Sequence, residues 1–185
     1  IATFNYAGNL WPLPQTGQMW LEYELLTKPQ EAGYYCISTS FRNEPHPVPG
    51  RHDLIFPMFE FETHGDINAL KRLEIELLDF LGFGLSGIGN TVTYDFAASK
   101  FGVAELTGRH EELLWHERGP VIFLEKFPES TSPFWNMKRS DVPGYAQKID
   151  VILFGIETIG SAERSTDHNE MRHRFHTISN GMYAD

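Results

Sequence analysis

The spacing of hydrophobic and polar residues changes along the chain, and its clearest alternation predicts two strands. Tyr34–Glu44 is rich in aromatic, β-branched and hydroxyl side chains, which favour strands. Ile55–Thr63 alternates in its second half, so successive side chains point to opposite faces. One face carries Met58, Glu60 and Glu62, and the other carries Phe59 and Phe61. We therefore expect one face of this strand to be buried, and a proline-rich loop to join the pair.

Helical spacing is strongest after the second strand. Asp66 is suited to an N-cap, and Gly82 to a stop, so a helix is predicted from Asp66 to about Leu81. Its apolar face carries Leu70, Leu73, Leu77, Phe80 and Leu81. Three shorter helices are predicted over Gln18–Leu26, Tyr94–Phe101 and Gly108–Glu117.

The remaining segments predict strands and loops. The opening stretch to Gln15 contains Gly and Pro and predicts a loop with one strand at most. Apolar, β-rich runs predict strands at Pro120–Pro128, Pro133–Arg139 and Lys148–Gly160, with DVILFGIE in the last forming a strand pair. Ser165–Asp185 is a polar tail.

The order of these elements predicts the fold class. Two strands, a long helix and several further strands without regular intervening helices indicate an α+β fold, with an antiparallel β-sheet flanked by helices. No long linker and no internal repeat is visible in residues 1–185, so we expect a single domain.

Composition narrows the function classes. The 185 residues carry a net charge of −10, which disfavours broad non-specific phosphate binding, and the 14% aromatic content argues against disorder. A single cysteine, Cys36, excludes a disulfide framework within the chain and a multi-cysteine zinc site. No apolar run suits a membrane span and no signal peptide is visible, so we expect a cytoplasmic protein that does not bind membranes.

Four motifs have ordinary structural explanations that we prefer. Gly82–Gly87 matches G-x-G-x-x-G but follows a helix, unlike dinucleotide-binding sites. Cys36 fits a small core residue better than a nucleophile. A tail with scattered histidines (His168, His173 and His176) is commoner than a metal site, and a triad of Ser86, Asp95 and His110 lacks a nucleophile elbow.

Charged residues on strands point to a more specific chemistry. Arg42 at the end of a strand offers a planar guanidinium suited to a phosphate. Glu60 and Glu62 lie on the neighbouring strand, and Asp150 and Glu157 on an apolar strand pair, where unpaired carboxylates are costly. Oxygen ligands suit Mg²⁺, which often binds one or two carboxylates together with substrate phosphates. This set indicates a nucleotide–Mg²⁺ site on a sheet.

Three collinear segments from Leu13 to Thr166 resemble a known family. TSFRNE, a loop with RHD and then PMFEFE resemble motif 2 of class II aminoacyl-tRNA synthetases. SPFWNMKR and DVILFGIETIGSAER are similar to the late catalytic segment of the aspartyl/asparaginyl branch, and LPQTGQMWLE to its glutamine-bearing segment. The resemblance implies a class II catalytic domain, incomplete over 1–185, without an anticodon-binding domain.

The resemblance also implies roles for individual residues. Arg42 would be catalytic, holding the α-phosphate of ATP and stabilising its developing charge. Glu44 and His52 would help seat ATP, and Phe59 or Met58 would lie against the adenine. Gln18, Glu60 and Glu62 would contact the amino-acid substrate at its ammonium end, and Arg164 would grip its side chain. Asp150 and Glu157 would bind Mg²⁺.

Departures from the family pattern leave the substrate and acceptor open. Leu21 stands where aspartate-specific members have a lysine, and Gly160 where some have a serine. Motifs 1 and 3 are not visible, and the chain begins at Ile1, so we expect part of a longer protein. The resemblance implies ATP-dependent activation of an Asp- or Asn-like amino acid by a homodimer, with tRNA as a further partner. Alternatives are an asparagine synthetase-type relative that uses ammonia, and a non-catalytic nucleotide- or amino-acid-binding relative.

Overall fold

The computed structural model describes residues 2–84 and 90–177. The chain divides into two compact units, Ile1–His64 and Gly65–Asp185, which are described separately. The expectation of a single domain stays a prediction. No helix among the described residues is long and apolar enough to cross a membrane.

The first unit contains two antiparallel strand pairs and one helix. Strands β1 (Thr3–Tyr6) and β2 (Asn9–Pro12) form a hairpin, so the opening stretch has two strands rather than one at most. Helix α1 (Gln18–Thr27) follows as predicted. Strands β3 (Gly33–Phe41) and β4 (Ile55–Thr63) pair along their whole length, and β3 ends three residues earlier than expected.

The two faces of β3–β4 differ in burial, as the alternation predicts. The face that carries Glu60 is the buried one, and Glu60 is only 5% exposed. On the opposite face, Tyr35, Ile37 and Phe59 are 59–75% exposed. The alternation was therefore predicted, but the aromatic residues do not mark the buried side.

The second unit is built around a four-stranded sheet. Its strands are β5 (Thr91–Thr93), β6 (Val121–Pro128), β7 (Tyr145–Leu153) and β8 (Ile156–Ala162), in that spatial order. The pair β5–β6 is parallel, whereas β6–β7 and β7–β8 are antiparallel. The helices are α2 (Ile67–Phe80), α3 (Tyr94–Phe101), α4 (Gly108–Arg118) and α5 (His168–Thr177). The α+β class is confirmed, with one parallel pair in the sheet.

Helix ends follow local chemistry. Asp66 caps α2 by accepting a hydrogen bond from the Ala69 N–H at 2.8 Å, as predicted. Thr93 caps α3 in the same way, through the Phe96 N–H at 3.3 Å, and Gly102 ends α3 with a φ of 65°. These caps explain why the predicted bounds of both helices agree with the structure to within a residue.

Two predictions for the second unit need correction, and a third lies partly outside the described residues. Pro133–Arg139 is not a strand and makes only isolated bridges, because the Arg139 side chain instead binds Glu129 and nearby carbonyl oxygens. Part of the polar tail forms α5. The glycine-rich match Gly82–Gly87, with Ser86, runs into residues 85–89, which lie outside the described residues.

Strand β6 is buried on both faces. Ile122 and Leu124 pack with residues of α3 and α4, whereas Val121 and Phe123 pack with Leu78 of α2. A strand covered on both sides needs a continuous apolar run, which explains the sequence VIFL. The neighbouring strand β7 is thereby held in place at Asp150, which pairs with Leu124 in register.

Helix α2 carries an unusual acid. Glu74 is 1% exposed, and its two carboxyl oxygens have no hydrogen-bond partner among the described residues. Burial raises the pKa of Glu74 to about 7 from an ordinary value of 4.5. The acid is therefore protonated in the folded protein over a pH range in which the unfolded chain has lost the proton.

This pKa difference predicts a pH-dependent stability. The contribution of neutral Glu74 is complete below pH 4.5 and is lost as the pH rises through about 7. Glu74→Gln should raise the free energy of unfolding at about pH 8 by about 2–3 kcal/mol, and change it little at about pH 4. Urea denaturation at both pH values measures the difference.

The matched control is Glu76→Gln on the exposed side of the same helix. It removes the same charge without the burial and should leave the pH dependence unchanged. Equal effects of the two substitutions at about pH 8 would show that folding does not raise the pKa of Glu74.

Candidate functional site

The first unit holds a buried carboxylate that is saturated by hydrogen bonds. Glu60 on β4 accepts from the Gly17 N–H at 2.9 Å, from the Ser38 hydroxyl at 2.6 Å and from the Thr16 hydroxyl. Burial acts to raise the pKa of Glu60, but these hydrogen bonds outweigh it and lower the pKa below its ordinary value. Ionised Glu60 thus fixes the residues that begin α1 to the β3–β4 pair.

Gln18, the first residue of α1, is oriented by the same arrangement. Its Nε2 donates to the Phe61 carbonyl at 3.1 Å and to Glu62 Oε1 at 2.6 Å. Both partners are acceptors, so the side-chain amide is placed with its nitrogen toward β4. The Gln18 Oε1 atom is then available to accept a hydrogen bond from a ligand.

Arg42 follows the end of β3. Its guanidinium lies over the ring of Phe56, with 5.6 Å between Cζ and the ring centroid, and its backbone N–H donates to the Leu54 carbonyl at 2.8 Å. Glu44 is exposed in the loop beyond it. His52 is in the same loop, where its Nδ1 accepts from the Val48 N–H at 3.3 Å.

The two proposed adenine contacts fall on opposite faces. Met58 is opposite Ser38, on the face that also carries Phe56 and Glu60. Phe59 is opposite Ile37 on the other face. Phe59 is therefore on the face opposite to Glu62, whereas Phe56, which we did not select from the sequence, is on the same face as Glu62.

The second unit holds another buried carboxylate. Asp150 on β7 is 5% exposed; its Oδ2 binds the Lys148 ammonium, while its Oδ1 is buried with no partner among the described residues. Burial raises the pKa of Asp150, and Lys148 opposes that effect. An unpartnered carboxylate oxygen of this kind is suited to a cation.

Glu157 on β8 approaches the same place. A Cβ built on Gly160 would lie 2.9 Å from Glu157 Oε1 and 3.7 Å from Asp150 Oδ1, so the two carboxylates converge beside this glycine. An oxygen-only pair with a free, buried oxygen fits Mg²⁺ that takes its remaining ligands from phosphates and water. In the described residues, no three His, Cys, Asp or Glu side chains are grouped to hold a metal unaided.

The two carboxylates border a cavity of about 370 Å³ within the second unit. One wall is aromatic, from Tyr94, Phe127 and Phe134. Glu105 and Glu111 add negative charge, and Lys148 is the one basic residue in the lining. Arg164 follows β8 and donates from Nη1 to the Asn136 side-chain oxygen at 3.3 Å.

The structure thus groups the predicted residues into two sets. Gln18, Glu60 and Glu62 are joined in the first unit, and Asp150 and Glu157 converge in the second. A shared site for the two sets stays a prediction. Lys148 was missed, although its position two residues before Asp150 places both on one strand face.

Comparisons with solved structures show the fold. Asparaginyl-tRNA synthetase from Pyrococcus horikoshii, complexed with asparaginyl-adenylate, matches with a TM-score of 0.76 and 20% identity over 94% of this chain and 46% of that chain. Asparaginyl-tRNA synthetase from Entamoeba histolytica gives a TM-score of 0.79 at 16% identity with the same coverage. Aspartyl-tRNA synthetase from Entamoeba histolytica gives 0.69 at 19%, over 88% and 40%.

The chain spans less than half the length of these solved proteins. A comparison with curated protein sequences finds no significant match. The family described as tRNA synthetases class II (D, K and N) matches residues 2–183. Because this match extends over nearly the whole sequence, the chain belongs to the class II tRNA synthetase family of the D, K and N type.

Proposed function

We propose that the protein activates an amino acid with ATP and Mg²⁺, forming an aminoacyl-adenylate. The observation that carries this proposal is one face of β3–β4. At one end of this face the Arg42 guanidinium lies over the Phe56 ring. At the other end the Gln18 side-chain amide donates to Glu62. Phe56 and Glu62 are separated by about 20 Å along the strand, which leaves room for a nucleotide and an amino acid in line.

The nucleotide end depends on Arg42. Its planar guanidinium would bind the α-phosphate and stabilise the charge that develops there during attack. Phe56, already in contact with Arg42, would lie against the adenine together with Met58. Glu44 and His52, in the loop between the strands, would help seat the nucleotide.

The amino-acid end depends on acceptors. Gln18 presents Oε1, and Glu62 a carboxylate, so both would receive the substrate ammonium group. Glu60 would position these residues rather than contact the substrate. Its carboxylate already accepts from four groups, those of Thr16, Gly17, Cys36 and Ser38. Arg164 would bind the oxygen of an Asp- or Asn-like side chain.

The second unit would supply the metal ligands. Asp150 and Glu157 would hold Mg²⁺, which neutralises charge on the phosphates when it is bound. The substrate carboxylate attacks the α-phosphorus and pyrophosphate leaves, so no protein nucleophile is needed. The residues of this chain contribute positioning and charge stabilisation.

The acceptor in the second step is tRNA or ammonia. Neighbours by structure are tRNA synthetases, two of them complexed with asparaginyl-adenylate, which supports the tRNA reaction. The net charge of −10 favours the ammonia-dependent alternative, since a strongly acidic chain attracts polynucleotides poorly. A homodimer in the cytoplasm is part of the proposal by family resemblance only.

Amino-acid-dependent exchange between ATP and pyrophosphate tests the proposal across all twenty amino acids. We expect exchange with one amino acid, of the Asp or Asn type. ATP binding without exchange for any amino acid would support the non-catalytic alternative. With the activating amino acid known, asparagine formation from ammonia and charging of tRNA distinguish the two acceptors.

Arg42→Ala should lower the exchange rate about 100-fold or more, because a charge-stabilising donor is lost. Arg42→Lys should recover only part of it, since an ammonium lacks the planar fork. Arg72→Ala, at an exposed position on α2, is the control for loss of a positive charge. Exchange that survives Arg42→Ala would remove Arg42 from the reaction.

Glu60 and Glu62 are expected to differ in role. Glu60→Gln should lower the free energy of unfolding by about 2–3 kcal/mol, because several charge-assisted hydrogen bonds are weakened together. Glu62→Gln should leave stability nearly unchanged and raise KM for the amino acid. Thermal denaturation and exchange kinetics measure the two effects; a reversed pattern would exchange the assignments.

A further inference from the structure

Lys148 has no role in the proposed reaction, yet its ammonium binds Asp150, which is a proposed metal ligand. It lies two residues before Asp150 on β7, so both side chains are on the same strand face. Its Nζ binds Asp150 Oδ2, and the Lys148 and Asp150 side chains are 19% and 7% exposed. The pair is thus largely shielded from water, where ion pairing is stronger than at a surface.

We propose that Lys148 is a built-in competitor for the divalent cation, holding Asp150 until a metal ion displaces it. This inference rests on the proposed function, because it takes Asp150 and Glu157 as the metal ligands. It concerns a residue of this chain that weakens metal binding in the free protein, in contrast to the residues that create the site.

The position of the ammonium makes coexistence with a metal unfavourable. A divalent ion on Asp150 would lie within a few ångströms of Lys148 Nζ, and like charges at that distance repel strongly in a shielded cavity. Asp150 Oδ1 is buried without a partner among the described residues, and Oδ2 binds Lys148 Nζ. Metal binding therefore requires Lys148 to move away from Asp150.

The surroundings allow that movement. The Lys148 ammonium lies over the Phe127 ring, with Nζ 3.8 Å from the ring centroid, so it has an aromatic contact in addition to Asp150. The cavity beside it is lined by two carboxylates that are not assigned to the metal, Glu105 and Glu111, and these can receive the displaced ammonium. Its volume of about 370 Å³ leaves room for the lysine to change rotamer.

A second explanation must be separated from this one. Lys148 could serve only to neutralise a buried Asp150, since an uncompensated buried carboxylate is costly. That role predicts a loss of stability on removing the lysine, with no gain in metal affinity. Competition predicts the gain in affinity, whatever the change in stability.

Mn²⁺ binding to the nucleotide-free protein, measured by electron paramagnetic resonance, distinguishes the explanations. Lys148→Met keeps the length of the stem and removes the charge, so we expect Mn²⁺ to bind about tenfold more tightly, or more. Mg²⁺ should displace the Mn²⁺, and Asp150→Asn should abolish the binding. Equal or weaker affinity of Lys148→Met would overturn the proposal.

Lys100→Met is the matched control. It also replaces a lysine by methionine, and it removes another ion pair of the same unit, Lys100–Glu117. Neither of these two residues is among those that line the cavity. Its Mn²⁺ affinity should equal that of the unmodified protein. A tenfold gain here as well would attribute the effect to net charge and overturn the assignment to Lys148.

A second measurement does not depend on the stability of Lys148→Met. Reductive ¹³C-methylation gives each lysine a resonance, and Lys148→Arg identifies the one from Lys148. Mg²⁺ should shift this resonance at the concentrations at which it displaces Mn²⁺. An unmoved Lys148 resonance while metal binds would overturn the competition alone. Absence of Mn²⁺ binding in both the unmodified protein and Lys148→Met would overturn the metal site, and the competition with it.

Discussion

A buried carboxylate is costly unless donors or cations surround it, and the chain meets this constraint in three ways. Glu60 is ionised and saturated by hydrogen bonds, which makes it a support for the start of α1. Glu74 is buried where the opposing effects of Ser161 and Lys71 do not offset burial, which raises its pKa to about 7. Asp150 has one paired and one free oxygen, which is the arrangement that receives a cation. The surroundings of each carboxyl group therefore decide whether it supports the fold, stays protonated or receives a cation, although all three residues are Asp or Glu.

Local signals in the sequence were sufficient for helices α1 to α4 and for the long strands. Caps at Asp66 and Thr93 and the stop at Gly102 are short-range features, so α2 and α3 could be predicted closely. Pro133–Arg139 was wrong because its structure depends on Arg139 binding Glu129, a contact outside the reach of a strand pattern. Helix α5 was missed because its polar sequence gives no apolar period.

The position of single residues in the candidate site was also difficult to predict from local sequence patterns. The choice between neighbouring positions on β4 decides the strand face, so of the two predicted adenine contacts only Met58 shares a face with Phe56 and Glu62. Burial could not be predicted from alternation alone, because the polar face of β4 is covered and the aromatic face is exposed. The donors that surround Glu60 come from residues distant in sequence, such as Gly17 and Ser38, so no local pattern could indicate them.

In the proposed reaction, the substrate carboxylate attacks the α-phosphorus of ATP. Oxygen labelling tests it directly. With the activating amino acid labelled with ¹⁸O in its carboxylate, one labelled oxygen should appear in AMP when the acceptor removes the aminoacyl group. AMP without the label, or label found in inorganic phosphate, would contradict the account, because the carboxylate would then not have formed a bond to the α-phosphorus.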